Sequence, residues 1–228
     1  MAKNKKQKFS VRATALSPIH LGSGKGDVTV DAEVAHDAYG LPYFPAKRFK
    51  GLLFESALEV VEIMGERPLF SVEDVRTLFR HIETKASEGQ LILSSLRLEN
   101  YDEVRKEWAY LEERYPELFR PSDVLEQYTS LRYQTKINCK TRAAKDTSLH
   151  NMRVVDKGVT FVGELVLENA NENALPILVL ALRNLEHAGL TRNRGFGRIR
   201  CELLQDGQDA GKAILTEALD QWKRGGGQ

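Results

Sequence analysis

Apolar residues at Phe9, Val11, Ala13 and Ala15 alternate with Ser10, Arg12 and Thr14, which describes a strand with one buried face. A second strand alternates Phe161, Leu165 and Leu167 against Thr160, Val162, Glu164, Val166 and Glu168. Between them the period lengthens. Phe49, Leu52, Leu53, Ala57, Val60 and Met64 recur at three- and four-residue steps, so a helix begins near Ala46 and stops at Gly65. Leu91–Leu98 reads as a strand, Leu175–Glu186 as a helix with Pro176 in its first turn, and Arg198–Leu204 as a final strand. A last amphipathic helix is expected from Lys212 to Lys223. With insertions removed, the order is strand, helix, strand, strand, helix, strand. That is an α+β chain with a ferredoxin-like or RRM-like core. Many functions use this plan, so it selects none of them.

The remaining stretches set the organisation. Residues 1–8 form a basic arm, 9–224 one domain, and 225–228 a flexible tail. From Glu55 to Gln127 there are seventeen acids against nine Lys/Arg, and the stretch around 66–130 reads as a helical, acidic insertion. From Ser130 to Thr160 the balance reverses to seven Lys/Arg and two acids. The formal net charge is only +1, so local potential matters more than the total. Cys139 and Cys201 match no metal-binding spacing. With no secretory signal or long apolar run, a reduced, cytoplasmic protein without a membrane partner is expected.

The segment most suggestive of chemistry is Leu190–Arg198. Arg192, Arg194, Arg198 and Arg200 surround Gly195, Phe196 and Gly197, with no acid between Leu190 and Cys201. Guanidinium forks match phosphate oxygens, glycines let backbone approach a ligand, and Phe196 can stack on a base or pack on the protein. Such a loop suits a sugar-phosphate backbone. The plainer alternative is a tight turn before an edge strand, with solvated arginines.

Three segments taken together resemble the RAMP superfamily of CRISPR-associated RNA-binding proteins, and most of all the backbone subunit of type III effector complexes. The first is Pro18–Gly24 followed by Gly40–Gly51, similar to the family's extended "P-Y-I-P" run before a helix, with Ala46-Lys47-Arg48 in place of a small triplet. The second runs from Ile137 through Ala144 and Arg153 to Phe161, similar to an "I-D-R-x-T-G-x-A" stretch, with Asn138 and Arg142 departing from Asp and Gly. In relatives it forms a thumb-like hairpin, here about 134–157, that separates guide and target bases. The third is the Arg194–Arg198 loop.

The resemblance implies RNA contacts through His20, Lys47, Arg48, Lys50, Lys136, Asn138, Lys140, Arg142, Lys145, His150, Arg153, Arg192, Arg194, Gly195, Phe196, Gly197 and Arg198. It implies guide RNA (crRNA), complementary target RNA and other type III effector subunits as partners, arranged head to tail in a filament. It also places a target-cleaving carboxylate at Asp31, in Val30-Asp31-Ala32-Glu33-Val34-Ala35-His36-Asp37. Asp27, Glu33 and His36 are secondary candidates, and Asp37 is read as a turn cap. Cleavage through the RNA's own 2′-hydroxyl needs in-line geometry, charge neutralisation and a proton acceptor. One Asp makes a poor metal cage, so Mg²⁺ or Mn²⁺ would be shared with RNA phosphates. The expected activity is therefore a metal-dependent endoribonuclease within a complex. Two alternatives are a guide-binding scaffold that does not cut, and a guide-processing endoribonuclease that uses His20. A generic RRM-type binder is disfavoured because no aromatic RNP-type strand is visible.

Overall fold

The computed structural model describes residues 6–24, 26, 30–79, 90–135, 150–190 and 195–225. The elements in chain order are β1 (Lys6–Ala15), α1 (Ala46–Met64), α2 (Val72–Phe79), β2 (Gln90–Leu93), β3 (Arg97–Leu98), α3 (Tyr101–Arg114) and α4 (Pro121–Glu126). They continue with β4 (Thr129–Gln134), β5 (His150–Val155), β6 (Thr160–Glu168), α5 (Ala174–Asn184), β7 (Ile199–Gln205), β8 (Gln208–Asp209) and α6 (Gly211–Gly225).

The main sheet has the order β2-β6-β1-β7-β8, with β3 also on β6. Every pairing is antiparallel. With β2 and β3 counted as one broken strand, the chain's first strand lies between its third and fourth, and the second lies outside the third. That is the ferredoxin-like order. The two-residue period settles the faces. Val11, Ala13, Phe161, Leu165, Cys201 and Leu203 are buried, and α1 and α5 pack together as the helical pair of the core. Ser56 Oγ donates to Ala181 O (2.9 Å), joining the two helices where Ser56 is itself buried.

The opposite face of the sheet carries no aromatic among the described residues of β1, β6 and β7 that point there. Arg12 stands at its centre, paired with Glu99 (2.7 Å) and Glu202 (3.8 Å). An RRM-type stacking surface is thus missing from the central strands.

Between Leu93↔Leu165 and Arg97↔Val162, three residues oppose two, which is a bulge. Ser94 stays with Glu164, but Leu96 turns to exchange backbone hydrogen bonds with Phe44 (2.8 and 3.0 Å). Ser95 Oγ accepts from Ala46 N (3.2 Å). The bulge therefore fixes where α1 begins. Phe44 and Phe49 meet edge to face at 5.1 Å on the other side of that start.

Several expectations change. The basic arm is shorter, because Lys6–Lys8 belong to β1 and Lys6 pairs with Glu168. The strand expected at Leu91–Leu98, which interrupts the acidic stretch 66–130, is broken into β2 and β3, both paired with β6. The thumb arms begin at Thr129 rather than 134. The last helix reaches Gly225, into the expected tail, and the β8 hairpin was not foreseen. Trp108 packs edge to face on Phe119 at 5.8 Å, while α3 itself has no buried residue. Among the described residues, no helix is long and apolar enough to cross a membrane.

Cys201 lies in the core and Cys139 lies outside the described residues. Burial, and then the neighbouring Glu202 charge, push the Cys201 thiol up to about 12. An unfolded cysteine ionises near 8.5, so above that pH the unfolded chain releases a proton that the folded chain keeps. Stability from this group is complete below about pH 8.5 and falls by about 1.4 kcal/mol per pH unit above it. Urea unfolding at pH 7 and pH 10 should show a loss about 2 kcal/mol larger for the native chain than for Cys201→Ala. Equal losses would refute the burial argument.

Candidate nucleic-acid interface

The chain leaving β1 organises one end of the sheet. Ile19 exchanges backbone hydrogen bonds with Val155 of β5 (2.9 and 2.8 Å), and Pro18 O accepts from Gly197 N (2.8 Å). Gly22 bridges to Val34. The Pro18–Gly22 segment thus lies between the thumb-like hairpin β4–β5 and the glycine loop before β7. His20 is buried, and its Nδ1 donates to Arg153 O (2.7 Å). The sequence reading gave His20 an RNA contact. The structure instead commits the ring to packing.

The acidic loop lies along β5. Arg153 N donates to Ala32 O (3.0 Å), and Ala32 bridges Met152 in parallel. Asp31 and Asn151 exchange two hydrogen bonds. Asp31 N donates to Asn151 Oδ1 (2.8 Å), and Asn151 N donates to Asp31 Oδ2 (2.9 Å). His150 Nδ1 lies 3.8 Å from the same Oδ2. The Asp31 side chain remains 60% exposed, so its carboxylate is held from one side and open on the other.

Glu33 and Arg153 are different from their expected roles. Both Glu33 oxygens lie 3.1 Å from Arg153 Nε, and the side chains are only 15% and 10% exposed. Arg153 Nη1 also donates to Thr129 Oγ1 (3.4 Å). Arg153 was expected on RNA and Glu33 among the reactive acids. Each instead satisfies the other inside the joint between loop and hairpin, where an unpaired charge is costly.

Asp37 acts as a turn cap. Its Oδ1 accepts from Tyr39 N (2.9 Å) and Leu41 N (3.0 Å), and its Oδ2 accepts from the Tyr101 hydroxyl (2.7 Å). Burial, and then the bond to Asp37, raise the Tyr101 hydroxyl above the usual tyrosine range. His36 is exposed, with Nδ1 donating to Asp37 O (2.9 Å).

The start of α1 opens on a groove of about 1200 Å³ whose walls include Gly22, Ser23, Glu33, His36, Lys47, Arg48 and Arg153. Pro45 is the N-cap, no side chain caps the helix, and no acid lies in the first turn. Instead the early residues are Lys47, Arg48 and Lys50. Arg48 Nη1 donates to Gly22 O (2.8 Å), tying the groove wall to the helix, and Lys50 Nζ reaches Leu91 O (3.0 Å). Lys47 is exposed on the rim.

In the glycine loop, Gly195 and Gly197 both have positive φ, 79° and 80°. Gly197 is buried, and a Cβ there would strike Ala188 O. Gly195 has nothing within 4 Å of that position. Gly197 is therefore demanded by packing, as the tight-turn alternative holds, while Gly195 keeps room for a ligand. Phe196 is half-buried, and Arg198 and Arg200 are exposed.

Lys136, Asn138, Lys140, Arg142, Lys145, Arg192 and Arg194 lie outside the described residues, as does Asp27. Among the described residues, no three His, Cys, Asp or Glu side chains gather as a metal site. Asp31 offers one open carboxylate edge, so the donor set fits a divalent ion only if other oxygens complete the shell. The sequence reading missed Asn151. Asparagine is depleted in strands, so its place in β5 was a signal of local work.

The family profile described as the RAMP superfamily matches residues 12–200. No curated protein sequence matches this chain. Among solved structures, the chain is similar to one in the cryo-EM structure of the type III-B Cmr-beta bound to cognate target RNA. The TM-score is 0.62 and the identity 13%, over 91% of this chain and 98% of that one. It is similar to another in the apo-state cryo-EM structure of type III-B Cmr-beta, with TM-score 0.63 and 13% identity over 88% and 98%. The profile spans all four core strands, from within β1 into β7, together with the loop and hairpin between them, and this chain belongs to the RAMP superfamily.

Proposed function

We propose that this chain is a backbone subunit of a type III CRISPR ribonucleoprotein effector, binding guide RNA and cutting complementary target RNA with Asp31. The observation that carries the reading is the start of α1. Lys47 and Arg48 sit in the first turn of a helix that has no acid in that turn and no side-chain cap. Within the protein alone, each such charge is unfavourable by about 0.3–1 kcal/mol. An anionic ligand in the groove reverses that sign, and a phosphate backbone is such a ligand. Membership of the RAMP superfamily supports the reading, and so does likeness to a chain of a type III-B Cmr-beta bound to cognate target RNA. The partners are then guide RNA, target RNA and other type III subunits, stacked head to tail by heterologous contacts.

Asp31 faces solvent beside the groove wall formed by Glu33 and Arg153. For a target nucleotide held in line, its open oxygen orients the 2′-hydroxyl or takes its proton. Asp31, with RNA oxygens, would hold a Mg²⁺ or Mn²⁺ ion, which would supply charge neutralisation there. The scaffold reading has one observation in its favour: among the described residues, no three His, Cys, Asp or Glu side chains gather where they could hold a metal ion. Guide processing by His20 is disfavoured, because that ring is buried and bonded to Arg153 O.

Asp31→Asn tests the catalytic half. Asparagine keeps an oxygen for Asn151 N, so the loop is retained while the charge is lost. In the assembled complex with Mg²⁺ and labelled target RNA, cleavage at this subunit's position should fall by about a hundredfold or more, with target affinity unchanged. Undiminished cleavage would leave the scaffold reading.

A further inference from the structure

We infer that Asn151 is the positioning residue for the Asp31 carboxylate, so that the thumb-like hairpin, rather than the acidic loop itself, sets where the carboxylate points. The inference rests on the reading of Asp31 as the cleaving group. Its own ground is the geometry of the joint. Asp31 lies beside a long glycine-bearing loop and has no regular strand or helix of its own. A carboxylate there would sample many orientations.

Asn151 removes that freedom at two points. Its side-chain oxygen accepts the Asp31 N–H (2.8 Å), and its own N–H reaches Asp31 Oδ2 (2.9 Å). Backbone and carboxylate of one residue are thus both bound to one residue of β5. Two residues along, Arg153 N holds Ala32 O (3.0 Å) and Arg153 Nε holds Glu33. The loop is tied to β5 by one isolated parallel bridge, Ala32 with Met152. The Oδ2 edge faces the hairpin and His150, leaving Oδ1 for a ligand. Of the two Asp31–Asn151 bonds, the one to the Asn151 side chain can be removed by substitution at 151 without touching the backbone register. Asparagine has the right length, with an acceptor two bonds from Cβ. A shift of about 1 Å in a reacting group costs on the order of a hundredfold in rate.

The test uses the assembled ribonucleoprotein with full-length chains carrying Asn151→Ala or Asn151→Asp. The alanine variant loses the acceptor for Asp31 N–H, whereas aspartate keeps an oxygen in the same place. Single-turnover target cleavage at this subunit's position should fall ten- to hundredfold for Asn151→Ala, with target-RNA Kd unchanged. Asn151→Asp should recover most of that loss. Hydrogen exchange of the peptide containing Asp31 should quicken in Asn151→Ala alone. Unchanged cleavage in Asn151→Ala, or a loss that Asn151→Asp does not recover, overturns the inference. So does unchanged exchange at Asp31. Asp31→Asn measured in parallel separates the two claims. If Asp31→Asn cuts normally, the reading of Asp31 falls, and the exchange measurement still decides whether Asn151 holds it.

Discussion

Glu33→Ala is expected to destabilise the folded chain by about 3–5 kcal/mol, because it leaves the Arg153 guanidinium buried without its counter-charge. Arg153 Nε has both Glu33 oxygens at 3.1 Å, and the Arg153 side chain is only 10% exposed. Its remaining side-chain bond, to Thr129 Oγ1 at 3.4 Å, is long and neutral. Removing the acid therefore does more than delete an attraction. It strands a desolvated cation at the joint where the acidic loop meets β5. Urea unfolding followed by circular dichroism would show the loss as a lower midpoint with the slope unchanged. Glu33→Leu combined with Arg153→Met should recover most of it, since replacing a buried pair by apolar groups is often neutral or favourable. An unaltered midpoint in Glu33→Ala would mean that water reaches the guanidinium and the pair is not buried in solution.

Gly197→Ala should cost about 2–5 kcal/mol, the sum of two penalties. A φ of 80° is worth about 1–2 kcal/mol against any residue with a Cβ. The new methyl group would also meet Ala188 O, and forced overlap in a packed site adds about 1–3 kcal/mol. The neighbouring backbone has little room to yield. Gly197 N is bonded to Pro18 O and Gly197 O to Ala188 N, each at 2.8 Å, so the strain is shared with the segment that carries His20. Gly195→Ala is the internal control. It has the same sign of φ but open space, and should cost only about 1 kcal/mol. Equal costs for the two variants would show that the loop closes differently and that packing against Ala188 does not hold it.

These two sites show where reading along the chain loses reach. The glycines of the Arg194–Arg198 loop were recognisable from their spacing, but their unequal roles were not. Which of them touches Ala188 depends on how the turn after α5 folds against the end of β1. The acids of the Asp31 loop were likewise visible, and Asp37 was separable as a cap because an Asx turn is local: its partners Tyr39 and Leu41 are two and four residues away. Glu33 could not be separated from Asp31 in that way, because its partner is 120 residues distant. Within the acidic stretch, the strand at Leu91–Leu98 was legible from its own apolar run, but its break into Gln90–Leu93 and Arg97–Leu98 was not, because the bulge between them is fixed by distant Phe44.

The sequence by itself determined the secondary structure of the core and its order, because hydrophobic period is a local property. Two-residue alternation at Phe9–Ala15 and Thr160–Glu168, and the helical recurrence at Phe49–Met64, each need only one face to be buried. It also marked the family, through short motifs held in sequence order. Tertiary structure alone decided which charged groups remain available for chemistry. Arg153 and Glu33 neutralise each other in a nearly dry joint, and His20 spends its Nδ1 on a carbonyl. Asp31 keeps an open edge because Asn151 takes the other. Burial and pairing across 120 residues set those outcomes, and no periodicity within a segment encodes them.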